Sequence, residues 1–283
     1  MGGAAAVSAR SWWVLAALWL APVLHADELQ VVLNRFGSAE QTLSYRLTWV
    51  VSDARPPQVL ERVHLAGQRQ STMELLSGGP AAKLPLPSLP DAEPAVTRRL
   101  WLLQQSYRLQ PRVRETVARR LVLPVWFQPT DGLRYATLLW LDVETGVPLK
   151  TQVHDSDGRI LEYSVATELE LLPDEPVPTD TGTPAASAGS WRIDPLPPGF
   201  QQVAVHREGG REQLFLVDGL ATISVFVEPA DGRRTGAMRR GAMSSLIREQ
   251  RGARLTAVGG VPLVTLERVL NAAIPTGCEG AGC

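Results

Sequence analysis

The chain has 283 residues, with 28 Lys and Arg against 29 Asp and Glu, for a formal charge of −1. A balance this close to zero argues against a nucleic-acid binder, which needs an excess of cations to neutralise phosphates. Only two cysteines occur, Cys278 and Cys283, so no disulfide framework runs through the body of the chain.

The amino terminus places Arg10 ahead of an apolar run from Trp12 to Leu24, followed by His25-Ala26 and polar sequence from Asp27. This is the pattern of a secretory signal peptide over residues 1–26, with cleavage expected after Ala26. The run is shorter than the ~20 residues of a membrane-spanning helix, and no later stretch is apolar for long enough either. No cysteine lies near the cleavage point, so no lipid attachment is expected there.

Residues 27–171 read as a first domain. Leu29, Val32, Leu33 and Phe36 recur at i, i+3, i+4 and i+7 and predict a helix with one apolar face. The period then changes, because Tyr45, Leu47, Trp49 and Val51 alternate with Arg46 and Thr48 as in a strand with one buried side. Further strands are predicted at Gln58 to Leu65, Gln70 to Leu76, Val117 to Phe127, Arg134 to Asp142, Leu149 to His154 and Ile160 to Leu171. Turn sequences such as Pro129-Thr130-Asp131-Gly132 and Asp155-Ser156-Asp157-Gly158 separate several of them, as an antiparallel meander requires. The expected result is a curved antiparallel sheet with the helix against one face. Between Ser77 and Thr97 five prolines preclude a continuous helix or central strand and predict a long loop.

Residues 172–190 hold four prolines and no Lys or Arg, which reads as a solvated linker. A smaller α+β domain is expected over residues 191–275. It opens on Trp191 and Leu196-Pro197-Pro198-Gly199-Phe200 and has strands at Gln202 to His206, Gln213 to Val217, Ala221 to Glu228, Ala242 to Glu249 and Arg254 to Val258. Asp218-Gly219 predicts a hairpin turn, since this pair tolerates positive φ. After Pro262, residues Leu263, Leu266, Val269, Leu270 and Ala273 fall on one face of a closing helix. In the Gly-rich tail of residues 276–283, Cys278 and Cys283 could pair in an oxidising compartment without stapling any core.

Catalytic signals are weak: the sequence contains no nucleophile elbow, P-loop, dinucleotide fingerprint or zinc-protease motif. The reading is a binding protein rather than an enzyme, with no metal and no cofactor. Asp155-x-Asp157-Gly158 lacks the ligand ladder of a calcium loop and suits a plain hairpin turn. Trp49, Trp101, Trp126, Trp140 and Trp191, with Phe127 and Tyr135, lie mostly on first-domain strands, where they either line an apolar cavity or fill a core. For a lipid cavity the candidates are Leu47, Trp49, Trp126, Tyr135 and Leu139. Between Arg233 and Arg254 there are seven arginines and one acid, Glu249. Arg239, Arg240, Arg248, Arg251 and Arg254 are candidates for lipid phosphates, and a solvated strand face is the competing reading.

Two sets of segments resemble the MucB/RseB family. The first set is Pro129-Thr130-Asp131-Gly132-Leu133-Arg134-Tyr135, Leu139-Trp140-Leu141-Asp142-Val143-Glu144-Thr145-Gly146-Val147-Pro148-Leu149-Lys150 and Asp157-Gly158-Arg159-Ile160-Leu161-Glu162. The second is Leu196-Pro197-Pro198-Gly199-Phe200, Asp218-Gly219-Leu220-Ala221-Thr222-Ile223-Ser224-Val225-Phe226-Val227-Glu228 and Val258-Gly259-Gly260-Val261-Pro262. The resemblance runs from about Leu29 to Ile274, with a poor patch from Gly67 to Arg112.

The resemblance implies an amino-terminal half-closed barrel like that of the lipoprotein carriers, joined to a smaller α+β domain, in a periplasmic protein. It also implies a partner, the periplasmic segment of a membrane-spanning anti-sigma factor, which the protein covers against proteolysis to keep the envelope-stress sigma factor sequestered. Lipopolysaccharide or another lipid is the implied releasing signal. On the resemblance and their positions, Arg134, Trp140 and Phe226 are candidates for an interdomain partner surface. The alternative is a periplasmic lipid or lipoprotein carrier or chaperone that uses the same cavity. The chain departs from the family pattern at Gly260, where an acidic residue is usual, at Ala118-Arg119-Arg120-Leu121 and in the cysteine tail.

Overall fold

The computed structural model describes residues 26–53, 56–66, 70–77, 83–86, 96–173, 189–232 and 234–276. The leader before residue 26, most of the 172–190 linker, much of the 77–97 segment, and Cys278 and Cys283 lie outside the described residues.

The first unit opens with α1 (Ala26–Thr42), whose Val32, Leu33 and Phe36 are buried as their spacing predicts. Strands β1 (Tyr45–Ser52), β2 (Gln58–Leu65), β3 (Gln70–Ser77) and β4 (Lys83–Leu86) form an antiparallel meander. Then come α2 (Val96–Ser106), β5 (Tyr107–Pro111), β6 (Glu115–Val117), β7 (Arg120–Pro129), β8 (Ala136–Asp142), β9 (Pro148–His154) and β10 (Ile160–Leu171). The last strand returns to pair with the first, giving the order β4-β3-β2-β1-β10-β9-β8-β7-β5, with β6 also on β7. The two end strands do not pair with each other, so the sheet is an unclosed half-barrel. Both helices pack together on one side, where Leu33, Phe36 and Leu103 meet Leu123, Val125, Phe127, Leu139 and Leu141 from β7 and β8.

The second unit holds β11 (Trp191–Ile193), β12 (Gln201–Glu208), β13 (Arg211–Val217), β14 (Thr222–Pro229), β15 (Gly236–Arg240), β16 (Met243–Gln250), β17 (Ala253–Gly259), α3 (Leu263–Asn271) and β18 (Ala273–Pro275). Six of these strands form one antiparallel sheet ordered β12-β13-β14-β17-β16-β15, and β11 pairs with β18. Leu266, Val269 and Leu270 of α3 close over Leu214, Ile223, Val225 and Leu255, all fully buried. The observed class is α+β, as the sequence indicates.

Three local expectations are corrected. The segment expected as a loop contributes β4 at the sheet edge, and Pro85 suits an edge because it has no N–H to donate outward. Helix α2 and strand β5 were not foreseen. The strand expected from Val117 to Phe127 is a hairpin instead, because Ala118 and Arg119 take φ of 49° and 61° and reverse the chain between β6 and β7.

Candidate functional site

The half-barrel and its two helices leave a cavity of about 280 Å³. Phe36 and Ala39 of α1 wall it on one side, and Leu47, Trp49, Met73 and Leu139 of the sheet wall it on the other. Its charged residues are Glu40, Arg62 and Arg99. One further wall residue, Leu220, comes from the second sheet's β13–β14 turn.

Glu40 and Arg62 form an ion pair at 3.0 Å. Burial pushes the Glu40 carboxyl up, but Arg62 and Arg99 outweigh it, so its pKa lies below the usual carboxylate value. His64 Nε2 is 2.7 Å from the Glu40 carbonyl, which can only accept, so Nε2 carries the proton and Nδ1 accepts from the Ser71 hydroxyl at 2.7 Å. Burial, with the Arg62 charge in addition, lowers the His64 pKa below its ordinary 6.5, although the Glu40 carbonyl opposes this.

The folded state therefore binds fewer protons at His64 than the unfolded chain does. The resulting stability is complete above pH 6.5 and is lost as pH falls from there through the lower folded-state value. Glu40, Asp142 and Glu212 also have depressed values, and their contributions fade below their ordinary 4.5, 3.8 and 4.5. We expect the urea midpoint to begin falling near pH 6.5 and to fall again near pH 4, and His64→Asn to remove the first decline only. Identical wild-type and variant curves between pH 7 and 5 would contradict this assignment.

A second constellation joins the two units. Arg134, whose side chain is 1% exposed, donates from Nε to Asp218 Oδ2 at 2.6 Å, from Nη1 to Asp131 Oδ2 at 2.6 Å and from Nη2 to the Pro198 carbonyl at 2.7 Å. Its guanidinium also lies 4.5 Å from the centre of the Phe200 ring. The Tyr107 hydroxyl donates to the same Asp218 Oδ2 at 2.9 Å, and burial together with the Asp218 charge pushes its pKa well up. Asp218 Oδ1 accepts the N–H groups of Leu220 and Ala221 at 2.9 and 2.7 Å, which shapes the turn. Arg99 Nε donates to the Gly219 carbonyl at 3.0 Å, and Thr265 Oγ1 donates to the Leu133 carbonyl at 2.7 Å. Segments from both halves of the resemblance thus meet in one buried joint. Gly199 is required there: its φ is 74°, and a methyl group would fall 2.7 Å from Arg134 Nη2.

The sequence candidates scatter. Leu47, Trp49 and Leu139 line the cavity. Trp126 is not among its lining residues, because Val125 and Phe127 face the helices and strand alternation turns Trp126 to the other side, where it donates to Gln128 and packs on His154. Tyr135 is buried in the turn before β8, also outside the lining. Of the partner-surface trio, Arg134 sits in the joint. Trp140 is buried within the first sheet under Lys150 and donates to Glu115, and Phe226 is half-buried on β14 beneath Arg211.

The arginine run divides by strand parity. Arg239 pairs across from Ser244 and shares the α3 side with Arg248, which bonds Asn271 on α3. Arg240 and Arg254 belong to the opposite side, where Arg254 pairs with Asp231. Arg251 donates to the Ala273 carbonyl. No single five-arginine phosphate cluster results. The joint itself went unread in the sequence, because Asp218 signals only a turn until Arg134 is brought to it.

Residues 81–186 match the MucB/RseB N-terminal domain family and residues 185–273 the MucB/RseB C-terminal domain family. The sigma factor AlgU regulatory protein MucB of Pseudomonas aeruginosa is 29% identical over 304 residues, covering 90% of this chain and 94% of that protein. The sigma-E factor regulatory protein RseB of Escherichia coli K12 is 27% identical over 178 residues, so the match spans about half of each chain, 55% in both cases. The crystal structure of MucB superposes with a TM-score of 0.67 at 25% identity, covering 89% of this chain and 99% of MucB. The crystal structure of MucB in complex with MucA(peri) gives 0.63 at 26% identity, covering 88% and 99%.

Proposed function

The chain belongs to the MucB/RseB family, and we propose that it is a periplasmic regulator that binds the periplasmic segment of an anti-sigma factor and shields it from proteolysis. The observation that carries this reading is the likeness, across both units, to MucB as it stands in complex with MucA(peri). The names of the relatives, regulatory proteins of sigma factors, support the same reading. Binding suffices for this role, and no side chain is assigned a catalytic part.

An apolar ligand, a lipid acyl chain, is the proposed releasing signal, with the cavity as its site. Its charged lining holds two arginines against one glutamate and therefore complements an anionic head group. Such a ligand releases the partner only to the extent that it binds the free protein more tightly than the complex. A tenfold preference weakens the partner's affinity tenfold, roughly 1.4 kcal/mol. The cavity alone also suits a lipid or lipoprotein carrier, and the partner separates the two readings.

Titration of the mature protein with the recombinant periplasmic segment of its organism's anti-sigma factor is the test. We expect saturable one-to-one binding. Failure to bind that segment, together with saturable binding of a lipoprotein, would favour the carrier.

A further inference from the structure

The cavity of the first unit takes one wall residue, Leu220, from the second. Leu220 packs against the cluster around Phe36 and Leu103 and lines the cavity together with residues of β1 and β8. It occupies the turn that Asp218 organises, and Asp218 is fully buried and bonded to Arg134 and Tyr107 of the first unit. Gly219 brings this turn against α2. At φ 96°, a methyl group there would lie 2.8 Å from the Arg99 carbonyl oxygen and 2.9 Å from Leu103 Cγ. Arg99 spans both features, with its guanidinium 4.5 Å from the centre of the Phe36 ring and its Nε on the Gly219 carbonyl.

At about 280 Å³ the cavity is at the lower limit of small-molecule sites. The cavity is open on one side, so the added carbons of a longer apolar ligand either project into water, where they gain nothing, or displace part of the wall and stay buried. Leu47, Trp49 and Leu139 are held in the hydrogen-bonded ladders of β1 and β8. Leu220 instead sits in a turn of a different sheet, held to the first unit by side-chain bonds from Arg99, Tyr107 and Arg134 rather than by a strand ladder, so displacing it means breaking those bonds.

We infer that Leu220 sets the length of apolar chain the cavity buries, so that chains exceeding that length push the Asp218–Ala221 turn outward and open the joint between the units. This rests on the reading of the cavity as an acyl-chain site. It adds to that reading the residue that measures the chain and the route by which occupancy reaches the second sheet.

The experiment uses the mature full-length protein and saturated fatty acids of graded length, from octanoate to hexadecanoate, measured by displacement of a fluorescent apolar probe. Each further methylene buried strengthens binding roughly fourfold until the cavity is full. In the wild type the gain per carbon is expected to collapse beyond a limiting length. Leu220→Ala should move that limit outward by about two to three carbons, matching the side-chain carbons removed, and Leu220→Trp should move it inward.

Hydrogen exchange on the wild type supplies a second readout that needs no variant. Acids longer than the limit should accelerate exchange of the Leu220 and Ala221 amides at least tenfold, and shorter ones should leave it unchanged. An identical limit in all three folded proteins overturns the inference, as does binding of long acids with unchanged exchange at the turn, while both leave the cavity's ligand class intact. If none of the proteins binds any acid or the probe, the acyl-chain reading fails and takes this inference with it.

Discussion

Replacement of Arg134 by methionine is expected to destabilise the protein by about 3–5 kcal/mol, the usual consequence of leaving one member of a buried ion pair without its partner. The side chain of Asp218 is fully buried, and its Oδ2 would retain only the Tyr107 hydroxyl. The double variant Arg134→Met with Asp218→Asn should recover more than half of the loss. The uncompensated charge disappears, and the amide oxygen can still accept the N–H groups of Leu220 and Ala221. Urea unfolding of the two single variants and the double variant closes a cycle that isolates the pair. A cost below about 1 kcal/mol for Arg134→Met, the range of an exposed pair, would show that the joint is open to solvent.

Gly146→Ala should be nearly as damaging for a different reason. Asp142 Oδ1 accepts the N–H groups of Glu144 and Thr145 and the Thr145 hydroxyl, folding a turn that ends in Gly146 at φ 75°. This turn lies directly on α1: a methyl group on Gly146 would overlap the Phe36 nitrogen and approach Arg35 Cβ to 2.8 Å. Left-handed strain of ~1–2 kcal/mol adds to an overpacking cost of ~1–3 kcal/mol. Because Phe36 and Ala39 of α1 wall the cavity, the variant should also bind apolar probes at least tenfold more weakly. The measurement is a urea midpoint alongside probe titration, and wild-type values for both would mean that α1 does not rest on this turn.

These two sites mark the boundary between what the sequence discloses and what it hides. The expected strands Gln58 to Leu65 and Ile160 to Leu171 coincide with β2 and β10 to the residue, and the apolar spacing after Pro262 located α3. Helix α2 was hidden because its apolar residues come as Leu100, Leu102 and Leu103 beside an exposed Trp101, a short and blurred period directly after a proline-rich run. The Ala118-Arg119 turn carries none of the Gly, Asn or Asp that normally announce positive φ.

The candidate site was half legible for related reasons. Leu47 and Trp49 lie on β1, where apolar and polar residues alternate, whereas Leu139 lies in the apolar run Leu138 to Leu141, where alternation marks no side. In the uninterrupted apolar run Leu121 to Phe127 both parities are hydrophobic, so packing alone decides that Phe127 faces the helices and Trp126 does not. The arginine run looks like one patch only until strand pairing divides it between two faces. The Arg134–Asp218 joint depends on partners 84 positions apart, a distance over which no local pattern operates.

In the proposed role the chain covers an anti-sigma factor's periplasmic segment and hinders its degradation. The most direct test of that role is the initial rate at which the protease that begins anti-sigma degradation cuts that segment, with and without a saturating amount of the mature protein. Cleavage at least tenfold slower is expected, with the rate restored by an acyl ligand long enough to displace Leu220. An unchanged cleavage rate at saturation would contradict it.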